Sequence, residues 1–202
     1  MRAMASARTP YQEAARELLR QTLFAAARDQ LEQRPWSEVT MADIASAAGV
    51  SRQTLYKEFG NRNEFGLAFV INVGERFLDE VEAAIREHLD DPDAAIGAAL
   101  ELFLRNAGED PLIRMLLSDD GTGGMLPFVT TQGLPVVAWA TARLVAVIED
   151  GWPQAAAADV VLLSESLVRL AISHITAPAG PPERTAAAVA DLLGPFVEKA
   201  LG

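Results

Sequence analysis

The 202-residue sequence contains no cysteine and only two histidines, His88 and His174. Without cysteine the chain can form neither a disulfide nor a thiolate metal site, and two imidazoles are too few for an ordinary zinc site. We therefore expect no metal and no cofactor. The lack of cysteine also fits a reducing compartment, so the expected location is the cytoplasm.

The sequence also lacks the marks of a membrane protein and of several enzyme classes. No uninterrupted apolar run is long enough to span a bilayer, and the N-terminal residues contain no apolar signal-peptide core. There is no glycine-rich phosphate loop and no metal-ligand spacing. Ser164, Ser166 and His174 share one expected helix, without the nucleophile elbow of a hydrolase. These absences predict a protein that is not an enzyme and does not bind a membrane.

Basic residues are few, since the chain has 17 of them against 28 acidic residues and a formal net charge of −11. Their distribution is uneven. Residues 1–62 hold nine basic and seven acidic residues, so the remainder carries a charge of −13. Because DNA-binding surfaces are normally basic, only the N-terminal part is expected to meet phosphate. The acidic remainder would be repelled by DNA, which helps to orient the docking.

Apolar residues recur at helical spacing along most of the chain, and we find no convincing strand alternation and no internal repeat. The predicted fold class is therefore all-α. The expected helices cover residues 11–34, 41–48, 52–59, 62–89, 92–107, 111–118, 135–150, 154–176 and 182–201. Residues 1–10 are expected to be frayed, and residues 119–135, which are rich in glycine and proline, to be irregular or broken helix.

Residues 40–59, TMADIASAAGVSRQTLYKEF, have the pattern of two short helices joined by a glycine turn. Thr40 and Ser51 are placed to cap the two helices, and Leu55 and Phe59, one turn apart, should face inward. The remaining side chains of the second helix suit base edges and phosphates, and they are Arg52, Gln53, Thr54, Tyr56 and Lys57. This pattern predicts a helix-turn-helix. An ordinary helical hairpin without a DNA role is the alternative.

Two helices near the C-terminus carry more apolar surface than a small domain needs. Residues 160–175 are apolar on nearly every side, and the helix expected at 182–201 has a similar surplus. Such helices must be covered on more than one face, which predicts a homodimer with a four-helix arrangement about a two-fold axis. The residues expected at this interface are Leu163, Leu167, Leu170, His174, Leu193 and Phe196.

An apolar effector pocket is expected beside the irregular stretch 119–135, because irregular backbone next to apolar helices often borders a ligand site. The candidate wall residues are Phe77, Phe103, Leu104, Leu116, Leu117, Met125, Phe128 and Trp139. Core packing is the alternative for each, since a core uses the same residue types. Arg143 has no acidic residue one turn away and is the candidate partner for an effector carboxylate, whereas Arg169 is expected to pair with Glu165.

The chain resembles the TetR family of bacterial transcriptional regulators. The resemblance rests on Trp36-x-x-Val39-Thr40-Met41-x-x-Ile44-Ala45-x-x-Ala48-Gly49-Val50-Ser51, followed by Thr54-Leu55-Tyr56-x-x-Phe59 and Asn61-Arg62-x-Glu64. It implies a homodimeric repressor with a DNA-binding domain at residues 1–62 and an effector-binding and dimerisation domain at residues 63–202.

The same resemblance implies roles for individual residues. The implied phosphate contacts are Thr40, Tyr56, Lys57 and Arg62, and the implied base contacts are Arg52, Gln53 and Thr54. Ser51, at the cap, completes the expected DNA-binding set. The sequence departs from the family at Glu58, where many members have a histidine that can donate to phosphate.

Residues 127–135, 150–153 and 164–174 resemble regulators found beside actinobacterial alkane-oxidation genes. This implies a long-chain apolar effector, such as a fatty acid, that releases the protein from a palindromic DNA operator. Two alternatives stay open. One is a multidrug-sensing regulator of an efflux pump, with the same DNA-binding domain and a different pocket. The other is a helical lipid-binding carrier or dimerisation module with no DNA role.

Overall fold

The structure, a computed structural model, describes residues 9–117 and 124–202. Within these ranges the chain forms nine α-helices and no strand, which confirms the all-α prediction. The helices are α1 (Pro10–Leu31), α2 (Met41–Ala47), α3 (Arg52–Phe59), α4 (Arg62–Arg86), α5 (Pro92–Glu109), α6 (Pro111–Leu117), α7 (Leu134–Gly151), α8 (Ala157–Thr176) and α9 (Pro182–Leu201). The chain divides into two compact units between Phe65 and Gly66, here called unit 1 and unit 2.

Two expectations of irregular structure fall partly outside the described residues. Of the N-terminal stretch that was expected to be frayed, residues 1–8 are outside the described ranges. Of the stretch 119–135, residues 119–123 are outside them. The described remainder of the second stretch contains a single-turn 3-10 helix, Leu126–Phe128, and turns up to Gly133. In the ranges that the structure describes, no helix combines the length and the hydropathy needed to cross a membrane.

Helices α2 and α3 begin at side-chain caps, as predicted from the sequence. The Thr40 hydroxyl accepts the Asp43 backbone N–H, and the Asp43 carboxylate accepts the Thr40 N–H in return. The Ser51 hydroxyl accepts the Thr54 N–H at 3.1 Å. Each cap satisfies a backbone donor that has no partner within its helix. The equivalent side chains at the starts of α4, α5 and α6 are Asn61, Asp91 and Asp110.

Helices α1 and α4 each end three residues earlier than predicted. α1 stops at Leu31 instead of residue 34, because Pro35 disfavours the helical conformation in the residue before it. α4 stops at Arg86 instead of Leu89, where the backbone tightens into a turn and the His88 N–H bonds the Ile85 carbonyl at 3.1 Å. Both differences lie at helix ends, where local signals are weakest.

An aromatic cluster forms the core of unit 1. The Phe59 ring lies 4.9 Å from Phe65 and 5.5 Å from Phe24, and Trp36 stacks on Phe65 at 6.3 Å between ring centroids. Leu55 is fully buried, so α3 turns the Leu55–Phe59 side inward as predicted. These contacts fix the orientation of α3 within unit 1 and leave its opposite side exposed.

Unit 2 packs α5 along α9 and α7 along α8. The close approach of α5 and α9 is visible at Gly97, where an added Cβ would lie 3.6 Å from Ala190. The main core of this unit includes residues from α4, α5, α7, α8 and α9. α9 runs through Pro195 to Leu201 as one helix.

The structure corrects the positions predicted for the dimer interface. Leu163 and Leu167 are 1% and 6% exposed in the core of unit 2, so they are unavailable to a second copy. Leu170, Leu193 and Phe196 are half-buried against the same unit. The outward positions on α8 are instead Val161 and Leu162. An all-apolar helix does not reveal which of its sides faces its own core, and this is why Leu163 and Leu167 were assigned to the interface. The half-buried positions Leu170, His174, Leu193 and Phe196 stay a prediction.

Candidate DNA-binding helix and apolar cavity

The outer side of α3 carries the predicted DNA-contacting side chains. Arg52 and Tyr56 are one turn apart and exposed, and Gln53 and Lys57 form a second exposed pair beside them. The Thr54 hydroxyl is half-buried and lies 2.8 Å from the Ser51 hydroxyl, so Ser51 and Thr54 are engaged with each other at the helix start. The described surface of α3 therefore offers four donor side chains in two adjacent rows, on a helix whose other side is anchored.

The acidic residue of α3 is held by two arginines of α1. The Glu58 carboxylate accepts hydrogen bonds from Arg16 Nε at 2.8 Å and from Arg20 Nη1 at 3.0 Å. Burial by itself would raise the pKa of Glu58, but the bonds from the two guanidinium groups outweigh burial and lower the pKa below its usual value. The ion pair joins α3 to α1 and compensates a negative charge next to the surface that would approach phosphate.

We expect the Glu58→Gln variant to be about 1–2 kcal/mol less stable than the parent protein at neutral pH, because it loses both charged hydrogen bonds. The folded-state pKa lies below the usual value of 4.5. The stabilisation is therefore fully present above that value and is lost as the pH falls through the folded-state pKa.

Urea unfolding followed by circular dichroism between pH 2.5 and pH 7 measures this difference. Glu87→Gln, at an exposed position just beyond α4, is the matched control and should change stability little at any pH. A stability difference for Glu58→Gln that stays constant down to the lowest pH would contradict the assignment.

Two of the residues implied as phosphate contacts are engaged inside unit 1. The Arg62 guanidinium donates to the backbone carbonyls of Trp36 and Val39 and stacks 4.0 Å above the Trp36 ring. Burial lowers the pKa of Arg62. The Thr40 hydroxyl donates to Asp43 Oδ2 at 2.7 Å within its cap. These bonds hold the starts of α4 and α2 in place, and contact of Arg62 and Thr40 with phosphate stays a prediction.

An apolar cavity of about 150 Å³ lies inside unit 2. Residues of α4 to α8 line it, and every described lining residue is aliphatic, aromatic or glycine. Of the predicted wall residues, the structure brings together Phe77, Phe103, Leu116, Leu117, Met125 and Trp139. Since no charged or polar side chain contributes to this wall, the cavity suits a hydrocarbon chain.

Three predicted effector residues do not line this cavity. Phe128 is buried without reaching the wall, and Leu104 packs in a separate small cluster with α9. Arg143 pairs with Asp79 at 2.9 Å and with Glu82 at 3.1 Å. Its acidic partners are on α4, more than 60 positions away in the sequence, and the spacing of charges within one helix does not reveal such pairs. Arg169 pairs with Glu165 at 2.7 Å, as predicted.

Gly74 is a cavity residue that the sequence analysis did not single out. A Cβ at this position of α4 would lie 2.9 Å from Cη2 of Trp139, closer than real contacts allow. Glycine here therefore lets the indole of Trp139 lie directly against the α4 backbone. The available signal was a glycine in the interior of a predicted helix, which lowers helix stability and calls for a packing reason.

The described residues provide no group of three His, Cys, Asp or Glu side chains that could hold a metal ion. Among the described residues, the exposed donor-bearing helix α3 in unit 1 and the apolar cavity in unit 2 are the candidate functional features.

Comparison with known proteins gives the same picture. Residues 23–68 match the family model described as bacterial regulatory proteins, tetR family, and residues 91–195 match the model of the bacterial tetracyclin repressor, C-terminal domain. The HTH-type transcriptional regulator AlkX of Mycobacterium tuberculosis is 36% identical over 199 residues, which are 95% of this chain and 91% of that protein.

Two solved structures extend the comparison. The TetR family repressor AlkX of a Dietzia strain, described as implicated in biodegradation of n-alkanes, is 34% identical with a TM-score of 0.78, and the match covers 91% of this chain and 97% of that one. RolR in complex with resorcinol is 21% identical with a TM-score of 0.58, over 94% of this chain and 98% of that one. The second likeness shows the fold alone.

The fold, the exposed side of α3 and the similar proteins together define a DNA-binding transcriptional regulator of the helix-turn-helix class. The relatives are described as a transcriptional regulator and a TetR family repressor. The chain belongs to the TetR family.

Proposed function

We propose that this regulator is a homodimeric repressor that leaves a palindromic operator when a long-chain apolar molecule, such as a fatty acid, enters unit 2. The observation that carries the proposal is the entirely apolar wall of the cavity, in a chain 34–36% identical to two AlkX regulators. One of those relatives is implicated in the biodegradation of n-alkanes. A multidrug sensor is the alternative: a cationic drug favours acidic or aromatic side chains, and the wall lacks the first but contains Phe77, Phe103 and Trp139. The similarity to the AlkX regulators is what favours the long-chain effector over a drug.

In the proposed complex, the two α3 helices of a dimer enter successive major grooves about 34–36 Å apart. Gln53 and Arg52 read base edges, and Lys57 and Tyr56 bind phosphates. Arg62, Thr40, Ser51 and Thr54 hold α2, α3 and α4 in position instead of reaching DNA. We assign DNA binding to unit 1, and effector binding and dimerisation to unit 2.

The proposed dimer surface lies on α8 and α9. Val161, Leu162 and Leu192 are 45%, 55% and 71% exposed, which is unusual for large aliphatic side chains on two apolar helices. A second copy related by a two-fold axis would cover all three, and each residue would then occur twice in the interface, once from each subunit. This surface replaces the buried positions Leu163 and Leu167 that the sequence had indicated.

Helix α4 is the proposed link between effector and DNA. Its first residue, Arg62, is bonded within unit 1, and its later residues from Val70 to Ile85 line the cavity. An effector that changes the packing of α4 would alter the spacing of the two α3 helices. A complete reversal of operator occupancy requires an effector preference of about 5 kcal/mol for the released state.

The test is a fluorescence-anisotropy titration of the full chain on DNA from upstream of its own gene, with and without hexadecanoic acid. We expect binding without the acid and release with it. Gly74→Ala should leave binding to DNA alone unchanged but require roughly tenfold more acid for release, because the new methyl group displaces Trp139 at the cavity wall.

Gly97→Ala is the matched control, since it is the same change in a helix where the new Cβ meets only an ordinary contact at 3.6 Å. We expect its release curve to coincide with that of the parent protein. A protein that binds none of the upstream DNA at low ionic strength would instead support the lipid-carrier alternative.

A further inference from the structure

A second cavity of about 520 Å³ adjoins the apolar cavity in unit 2. Four residues line both cavities, so the two share part of their walls: Ala107, Ile113, Leu117 and Ile175. A molecule that fills the first cavity and extends past these side chains would place its end in the second. We call this second cavity the vestibule.

The vestibule differs from the apolar cavity in chemistry. Its wall contains ionisable groups from four helices, and these are Arg105 and Glu109 of α5, Arg114 of α6, His174 of α8 and Glu183 of α9. Thr185 adds a hydroxyl. The pair of cavities is therefore amphipathic, with one chamber for a hydrocarbon chain and one for a polar group.

The charges of the vestibule assign a special part to His174. Glu109 and Glu183 line the same cavity as the two guanidinium groups, and Arg105 is already paired with Glu101 at 3.0 Å. His174 is half-buried in the last turn of α8, where its imidazole adds a hydrogen-bond donor to the wall. A carboxylate accepts hydrogen bonds from such a donor.

We propose that the vestibule receives the carboxylate head of the effector and that the His174 imidazole donates a hydrogen bond to it, while the hydrocarbon chain occupies the apolar cavity. This inference rests on the proposed function and deepens it, because it names the residue that distinguishes an acid from a neutral chain. It also moves His174 from the dimer surface, where the sequence had placed it, to the effector site.

The experiment compares hexadecanoic acid with its methyl ester, at concentrations below micelle formation, on the full-length protein. Trp139 lines the apolar cavity, so its contribution to the fluorescence of the three tryptophans reports chain entry, and calorimetry gives the affinity. We expect the acid to bind about tenfold more tightly than the ester at neutral pH, because only the acid presents a carboxylate to the His174 donor.

Variants at position 174 separate recognition of the head from folding. His174→Leu should lose the preference for the acid, while binding of the ester stays within about twofold. His174→Gln keeps a hydrogen-bond donor, so we expect it to retain part of the preference. His88→Leu, which removes the other histidine from a site outside both cavities, should behave like the parent protein.

The outcomes distinguish the two levels of the proposal. An acid preference that survives unchanged in His174→Leu, or equal affinities for acid and ester in the parent protein, would overturn the role of His174 while the apolar effector stands. Failure of both compounds to bind the parent protein would overturn the proposed effector class itself.

Discussion

Replacing Lys57 by alanine is expected to weaken binding to every DNA duplex by one to two orders of magnitude and to flatten its salt dependence. Lys57 is exposed on the outer side of α3, next to Gln53. Each phosphate contact contributes about 1 to the slope of log affinity against log salt, so a dimer that loses two contacts should lose about 2. Fluorescence anisotropy at salt concentrations from roughly 50 to 300 mM measures this slope, because the affinity for DNA changes strongly over that range.

Gln53→Ala should have a different signature. Removing a base contact changes the discrimination between operator variants by about 1–3 kcal/mol per site and leaves the salt slope unchanged. Lys199→Ala is the matched charge control, because it removes a lysine that pairs with Asp159 in unit 2. If Lys199→Ala flattened the slope as much as Lys57→Ala did, net charge rather than contact at α3 would be the cause.

Placing a glutamate at Leu162 or Leu192 is expected to convert the dimer to a monomer and to lower operator affinity by at least about a hundredfold. Each substitution enters an interface with two-fold symmetry twice, so two carboxylates per dimer would be buried without partners. A monomer engages one half-site only and loses the gain from binding both halves at once. Sedimentation velocity at micromolar concentration measures the first effect, and anisotropy measures the second.

Leu134→Glu provides the control for this prediction. Leu134 is 72% exposed, as much as Leu192, but lies at the start of α7 outside the proposed surface. We expect this variant to remain dimeric and to bind the operator normally. Dissociation by Leu134→Glu with intact dimers of Leu162→Glu and Leu192→Glu would relocate the interface to α7.

The predictable parts of this structure are those whose causes lie within one turn of the chain. The Thr40–Asp43 cap and the Ser51 cap are satisfied by residues three positions on, so both helix starts could be derived from the sequence alone. The inward side of α3 followed from the spacing of Leu55 and Phe59. Arg169 found its partner four residues away for the same reason.

The parts that sequence reasoning missed depend on partners far along the chain. Arg62 bonds carbonyls 23 and 26 positions earlier, and Glu58 pairs with arginines 38 and 42 positions earlier. Family resemblance alone made Arg62 a phosphate contact, because its internal acceptors are backbone atoms that a motif does not record. On α8 the error had another source, since its apolar residues occupy several sides and give no single buried direction.

The two ends of α4 also have a mechanical consequence. At 1.5 Å per residue, roughly 18 Å of helix separates Gly74, beside Trp139, from Arg62, which is bonded to the backbone of unit 1. In the proposed mechanism, an effector that tilted this length of α4 by about 5° at the indole would move its far end by roughly 1.5 Å. A small shift of side chains at the cavity would in this way become a larger shift at the start of α4, and the spacing of the two α3 helices would no longer match the operator.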